Sequence, residues 1–197
     1  MVKNYKKLAQ KAEKYIKMII ANKMGSPDLL DQYIIAAANK SLVSFHAIVV
    51  LCKNKLNEES FPILRSMIEN SINFRWILNK NTQARFSNYF DDLSKTGFGE
   101  KWTEIDFYSR MSELGFPRTY YDFVVKYTYS HSHANAKSVF RLQDVEREPF
   151  SEDAIYAVIA QMLGHILKGL EEIYKEYREK RYSHEIWSSV EVNINLK

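Results

Sequence analysis

The chain has 197 residues, of which 46% are hydrophobic and 26% are charged. This length and balance are typical of a single globular domain, taken here as 1–197, and they argue against a disordered chain. Only 6 glycines and 4 prolines are present, fewer than the turns of a β-sandwich or a doubly wound sheet require. The composition therefore predicts an all-α fold, an irregular bundle of six or seven helices.

Several features favour a cytoplasmic protein. One cysteine, Cys52, cannot form an internal disulfide, which fits a reducing compartment. The lysine-rich N-terminus lacks the apolar stretch of a signal peptide. No window approaches the roughly 18 consecutive apolar residues of a spanning helix, so we expect no membrane partner.

Helical periodicity covers the first half of the chain. The segment 1–24 is basic and amphipathic, with seven lysines and one acid, Glu13. Ser26, Pro27 and Asp28 mark the start of the next helix, since a capping hydroxyl, a proline and an acid favour a helix N-terminus. Four helices are predicted here: 3–23, 27–56, one that Asn57 or Ser60 caps and that ends near Asn79, and 82–95.

The second half contains shorter elements. A loop at 95–99 precedes three predicted helices: 103–114, 118–140 and 151–181. Ser151 is the predicted cap of the last one. The segment 182–197 is predicted to be a tail, because apolar and polar residues alternate from Val190 to Leu196. That alternation is typical of a strand, which would need a partner edge.

The predicted third helix carries two arginines among apolar residues. Arg65 projects between Ile72 and Trp76, and Arg75 lies in a second apolar arc. A buried charge needs a partner, and Glu69, one turn beyond Arg65, is the local candidate. Two interpretations stay open: an ion pair that fixes helix packing, or an arginine that faces an anion and is held by a glutamate.

A second polar cluster follows in the run from Tyr127 to Asn135. On a helix, His131 and His133 project about 200° apart, which is poor geometry for a metal, so no metal or cofactor is expected. Tyr129, Ser130 and His133 share one rim. The motifs of a serine-hydrolase elbow, a P-loop and a dinucleotide-binding loop are absent from the sequence.

These two segments carry a resemblance. The run from Phe61 to Glu69 contains Arg-x-x-x-Glu, and the run from Tyr127 to His133 contains Tyr-x-x-Ser-x-x-His. Together they resemble a family of uncharacterised bacterial helical proteins over roughly 30–175. The layout is also similar to the all-helical HEPN group, in which an arginine precedes a histidine by four to six residues. Here Lys126 precedes the histidine pair, and Arg178 and His184 have the spacing at the end of the last predicted helix.

The HEPN resemblance implies a metal-independent ribonuclease or toxin of a bacterial defence or toxin–antitoxin system, acting as a homodimer on RNA. In the site this implies, His133 transfers protons, Arg65 holds the phosphate, and Glu69 orients Arg65. Tyr129 and Ser130 would position the phosphate. Further phosphate or RNA contacts are expected from four basic residues: Arg75, Lys126, Lys7 and Lys14.

Two other functions fit the same residues. One is a non-catalytic helical module that binds another protein, such as an accessory subunit of a defence system. The other is a nucleotide- or anion-binding sensor that uses Arg65 and Arg75. Cleavage of RNA, stable co-purification and thermal stabilisation by nucleotides distinguish the three.

Overall fold

The fold is described by a computed structural model that covers residues 4–96, 103–122, 128 and 151–190. The predicted all-α class is confirmed, and no strand occurs in these ranges. A 3-10 turn at Glu58–Ser60 precedes the third helix. The helices are α1 (Tyr5–Ala21), α2 (Leu29–Lys53), α3 (Phe61–Asn79), α4 (Thr82–Thr96), α5 (Phe107–Glu113), α6 (Arg118–Tyr120), α7 (Glu152–Ile173), α8 (Lys175–Arg178) and α9 (Tyr182–Val190).

The central helix is α7. As predicted, Ser151 caps it, and its hydroxyl oxygen accepts a hydrogen bond from the amide of Ala154 at 3.2 Å. Most of its side chains are buried, because α1, α3 and α9 pack around it. α7 therefore fixes where the ends of the surrounding helices lie.

A glycine sets how closely α3 approaches α7. A Cβ atom added to Gly169 would lie 2.6 Å from Cε1 of Phe74, whose ring is fully buried. No side chain fits at that distance, so the two helices can only pack this tightly with glycine at this position. This packing brings Arg75, the residue after Phe74, against the C-terminal turn of α7.

Helix α2 is more apolar than the others. Among the described residues it alone is long and apolar enough, by length and composition, to cross a membrane. A core helix of a soluble protein meets the same criterion. Three of its residues, Ile34, Phe45 and Ile48, lie in the core that α3 and α7 share. Asp28 caps this helix, rather than the predicted Ser26.

The predicted last helix and tail need correction. The helix ends at Ile173, because Tyr174 leaves the helical backbone conformation, and the short α8 follows. The first part of the predicted tail is helical: Tyr182–Val190 forms α9. Tyr182 stacks on Tyr15, and Ile186, one turn later, is fully buried. The strand predicted from the alternation starts at Val190, and 191–197, like most of the predicted helix 118–140, lies outside the described residues.

Candidate functional site

The expected pair between Arg65 and Glu69 is confirmed. The Nη2 atom of Arg65 lies 2.6 Å from Oε1 of Glu69, and the two side chains are 16% and 46% exposed. Phe107 of α5 lies beside the guanidinium, with its ring centre 5.2 Å from Cζ. The arginine is therefore held from two sides, while the glutamate reaches solvent.

Helix α5 adds a second arginine to this face of α3. Arg110 donates a hydrogen bond from Nη1 to Oδ1 of Asn73 at 2.7 Å, and its guanidinium lies 5.4 Å from the ring of Phe107. Burial lowers the pKa of Arg110. Because arginine remains protonated in proteins, Arg65 and Arg110 give this surface two positive charges, and the carboxylates of Asp106 and Glu69 both act on Arg110.

The other predicted members of this site come later in the chain. Lys126, Tyr129, Ser130 and His133 lie outside the described residues. The predicted meeting of Arg65 with His133 therefore stays a prediction.

The second buried arginine is closed by a carboxylate. Arg75 binds Glu172 through the two terminal nitrogens of its guanidinium group: Nη1 contacts Oε2, and Nη2 lies 2.6 Å from Oε1. Only 9% of the Arg75 side chain is exposed. The expected role of Arg75 in phosphate binding would require this bidentate pair to open, at the cost of an unpaired buried charge.

Glutamates neutralise part of the positive charge of the lysine-rich segment. Lys7 and Lys14 are exposed and form no ion pair within the described ranges, which leaves both available for the phosphate contacts predicted for them. The other described lysines of this segment are paired: Lys6 with Glu152, Lys11 with Glu185, Lys17 with Glu13 and Lys23 with Glu176.

A pocket lies where α7, α8 and α9 meet. It has a volume of about 520 Å³, and we call it the cationic pocket. Arg178 of α8 and His184 of α9 both line it. These are the two residues that have the arginine–histidine spacing at the C-terminal end of the sequence. The other described residues that line it are Lys168, Glu171, Glu179, Arg181 and Ser183.

A network of side-chain hydrogen bonds holds the walls of this pocket in place. Tyr174 interrupts the helix, and its hydroxyl donates to Oδ1 of Asp31 at 2.8 Å. Glu171, 2% exposed, accepts hydrogen bonds from the amide of Ser183 at 2.8 Å and from its hydroxyl at 2.6 Å. This clamp fixes the first turn of α9 against α7. It therefore holds His184, the next residue, at the pocket.

The charge in the cationic pocket favours an anion. Lys168, Arg178 and Arg181 contribute three positive charges, against the carboxylates of Glu171 and Glu179. Glu171 is already engaged by Ser183. Arg178 is oriented by one hydrogen bond from Nη2 to the carbonyl oxygen of Glu172 at 3.0 Å. Its remaining donors match the geometry of a phosphate.

One feature of the sequence indicated this pocket. The spacing of Arg178 and His184 matched the HEPN pattern, but a continuous helix to 181 places no pocket between them. No sequence pattern indicated that Lys168 and Arg181 line the same pocket. The two residues come together there because the helix ends before Tyr174 and the chain turns.

The fold and the pocket define an all-helical protein with a cationic site. Residues 31–99 of the chain match the model of a family of unknown function, DUF5677. This segment contains most of α2, all of α3 and α4, and the pair Arg65–Glu69. No curated protein matches the chain, and no solved structure matches it. The similarity therefore supports an uncharacterised helical family, over this segment.

Removing the clamp at the cationic pocket tests how it is built. We expect Glu171→Ala to lower the free energy of unfolding by about 2–3 kcal/mol, because it leaves the buried amide and hydroxyl of Ser183 without their charged acceptor. Urea denaturation measures the loss. Glu179→Ala, an exposed carboxylate of the same pocket, is the matched control and should change stability by about 0.5 kcal/mol or less. Equal effects of the two variants would contradict the clamp.

Proposed function

We propose that the protein is a metal-independent ribonuclease of the HEPN type, and that it holds the scissile phosphate in the cationic pocket. The observation that supports this is the shared position of Arg178 and His184, at the spacing typical of that group, in one pocket with Lys168 and Arg181. The role in a bacterial defence or toxin–antitoxin system and the homodimer belong to the same proposal.

The residues of the pocket suit attack by the 2′-hydroxyl of RNA. His184 takes the proton of that hydroxyl, since imidazole is the most frequent general base in enzymes. The hydroxyl oxygen forms a bond to phosphorus while the bond from phosphorus to the 5′ oxygen breaks. Water protonates the leaving oxygen. Arg178, with Arg181 and Lys168, stabilises the negative charge that develops on the phosphate.

The site predicted around Arg65 and Glu69 of α3, which we call the α3 site, is a second candidate location for the same chemistry. There His133 transfers the proton, Arg65 binds the phosphate, and Glu69 orients Arg65. Tyr129 and Ser130 would place the substrate, and Lys126 would add a positive charge. In either case Lys7 and Lys14 contribute contacts to the RNA backbone, which weaken as salt increases.

Cleavage of RNA by the purified protein in EDTA tests the proposal and separates the two locations. We expect His184→Ala to lower the cleavage rate by roughly 100-fold or more, the contribution typical of a general base. Arg178→Ala should lower it by a similar factor, and Arg178→Lys should restore only part of it, because a lysine cannot bind phosphate bidentately.

His133→Ala is the matched histidine variant. Full activity in His133→Ala, with loss in His184→Ala, assigns the chemistry to the cationic pocket, and the reverse assigns it to the α3 site. Intact RNA with the wild-type protein, across single-stranded and structured substrates, contradicts the proposed function.

A sensor of nucleotides or other anions is the alternative that the cationic pocket also supports. Such a protein binds through Arg178 and Arg181 without cleaving RNA. Its melting temperature would rise with a nucleotide triphosphate, because a ligand that binds only the folded state stabilises it. Arg181→Ala would remove this shift.

A further inference from the structure

A second pocket lies on another face of the molecule, between α2, α3 and α4. Its volume is about 340 Å³, within the range of pockets that bind small ligands. Four aromatic residues line it together with Lys40 and Asn70, and we call it the aromatic pocket. The four are Tyr33 of α2 and Phe86, Tyr89 and Phe90 of α4.

The aromatic rings form a connected wall. The ring of Tyr33 lies 5.6 Å from that of Phe86 and 5.2 Å from that of Tyr89, measured between centres. Phe86 lies 6.0 Å from Phe90. Phe86 is buried, whereas Phe90 keeps 39% of its surface exposed. The wall therefore has a fixed base and an exposed ring at its edge, an arrangement that suits stacking of a planar ligand.

Asn70, which lines this pocket, has its amide group held by two hydrogen bonds. Its side-chain nitrogen donates to the carbonyl oxygen of Ala37 and to the hydroxyl of Ser41, both at 2.8 Å. These bonds fix the orientation of the amide, since a backbone carbonyl can only accept. Both N–H groups are used, so the amide oxygen is the atom that Asn70 offers to a ligand.

The charge of the aromatic pocket is positive. Among the described residues that line it, Lys40 is the one with a charge, and it is exposed. Within the described part of the chain, Lys40 forms no salt bridge. The aromatic wall, the acceptor and the cation together match a planar heterocycle that carries N–H donors and an anionic group.

We propose that the aromatic pocket binds a nucleotide through its base. The base stacks on Phe90 and Tyr89, an N–H group of the base donates to Asn70, and the phosphate lies near Lys40. The same chemistry is present in a free nucleotide and in an unpaired nucleotide of RNA. In the second case the pocket serves the proposed ribonuclease as a subsite for an unpaired base, and that part alone rests on the proposed function.

Saturation-transfer NMR with AMP and the full chain tests this proposal. We expect transfer to the base protons to exceed transfer to the ribose protons, because the base contacts the rings. Phe90→Ala should weaken AMP binding by roughly tenfold or more, the usual effect of removing one stacking ring. Lys40→Ala should lower the affinity for AMP to the affinity for adenosine. Adenosine, which has no phosphate, should bind the wild-type protein and Lys40→Ala equally. Val43→Ala, an exposed apolar residue of α2 that does not line the pocket, is the control.

An unchanged affinity for AMP in Phe90→Ala overturns the proposal, as does no binding of AMP at millimolar concentration. A short single-stranded RNA that displaces AMP from the wild-type protein identifies RNA as a source of the base, while failure to displace it restricts the pocket to free nucleotides.

The proposed function and the proposed binding of a nucleotide in the aromatic pocket can fail separately. AMP contacts that depend on Phe90, with no cleavage of RNA by the wild-type protein, mean that the proposed function fails alone. Cleavage of RNA with no dependence of AMP binding on Phe90 means that this inference fails alone.

Discussion

Replacing Arg75 by alanine is expected to lower the free energy of unfolding by about 3–5 kcal/mol, the usual result of removing one partner of a buried ion pair. Arg75 and Glu172 join α3 to the C-terminal turn of α7 through two hydrogen bonds. Burial raises the pKa of Glu172, so its carboxylate depends on the guanidinium to remain charged. Urea denaturation at neutral pH measures the effect.

Two variants make this prediction specific. The double variant Arg75→Met with Glu172→Leu removes both charges, so it should lose less stability than Arg75→Ala. Arg118→Ala breaks an exposed pair with Asp122 and should lose about 0.5 kcal/mol or less. A loss below about 1 kcal/mol in Arg75→Ala would show that the pair contributes no more than a surface contact.

Stability should fall steeply in acid because of one buried histidine. His165 of α7 is 7% exposed, stacked on Phe116 at 4.6 Å and close to Trp187 at 5.0 Å. Burial, with a smaller contribution from the charge of Arg75, lowers the pKa of His165 to about 3 from an ordinary 6.5. Between these two pH values the unfolded chain binds a proton that the folded chain does not. The stability from this residue is therefore complete above pH 6.5 and is lost as the pH falls towards 3.

The size of this effect is set by the linkage relation. One differing proton changes stability by about 1.4 kcal/mol per pH unit, so the loss over this window amounts to several kcal/mol. Urea denaturation across the window measures the slope. His165→Leu should flatten the slope, and His184→Ala, which removes an exposed histidine, is the matched control. A slope that is the same in wild type and His165→Leu contradicts the assignment.

The helices could be predicted because their signals are local. Ser151 and the apolar stripe that follows it marked the start of α7, and the spacing of Arg65 and Glu69 predicted an ion pair one helical turn long. Both depend on residues within about one turn of each other. The same reasoning failed at the C-terminus, where α9 was predicted to be part of a tail. The apolar residues at helical spacing in α9, Tyr182 and Ile186, are few. They precede a run in which apolar and polar residues alternate with the period of a strand.

The contacts that build the cationic pocket connect distant parts of the chain. Tyr174 leaves the helix where its hydroxyl donates to Asp31, which is 143 residues earlier, and Glu171 of α7 accepts hydrogen bonds from Ser183 of α9. No local pattern reports such contacts. The sequence supplied the spacing of Arg178 and His184, and the tertiary structure supplied the break that turns both towards one pocket.

The chemical nature of the RNA ends distinguishes attack by the 2′ oxygen from attack by water. Wild-type protein in EDTA should produce fragments that end in a 2′,3′-cyclic phosphate and begin with a 5′-hydroxyl, because the attacking group is the neighbouring 2′ oxygen. Mass spectrometry of the fragments identifies both ends, and a substrate with a single 2′-deoxy nucleotide should resist cleavage at that position. Fragments with a 3′-hydroxyl and a 5′-phosphate, or cleavage that persists unchanged in His184→Ala and His133→Ala, would contradict the account.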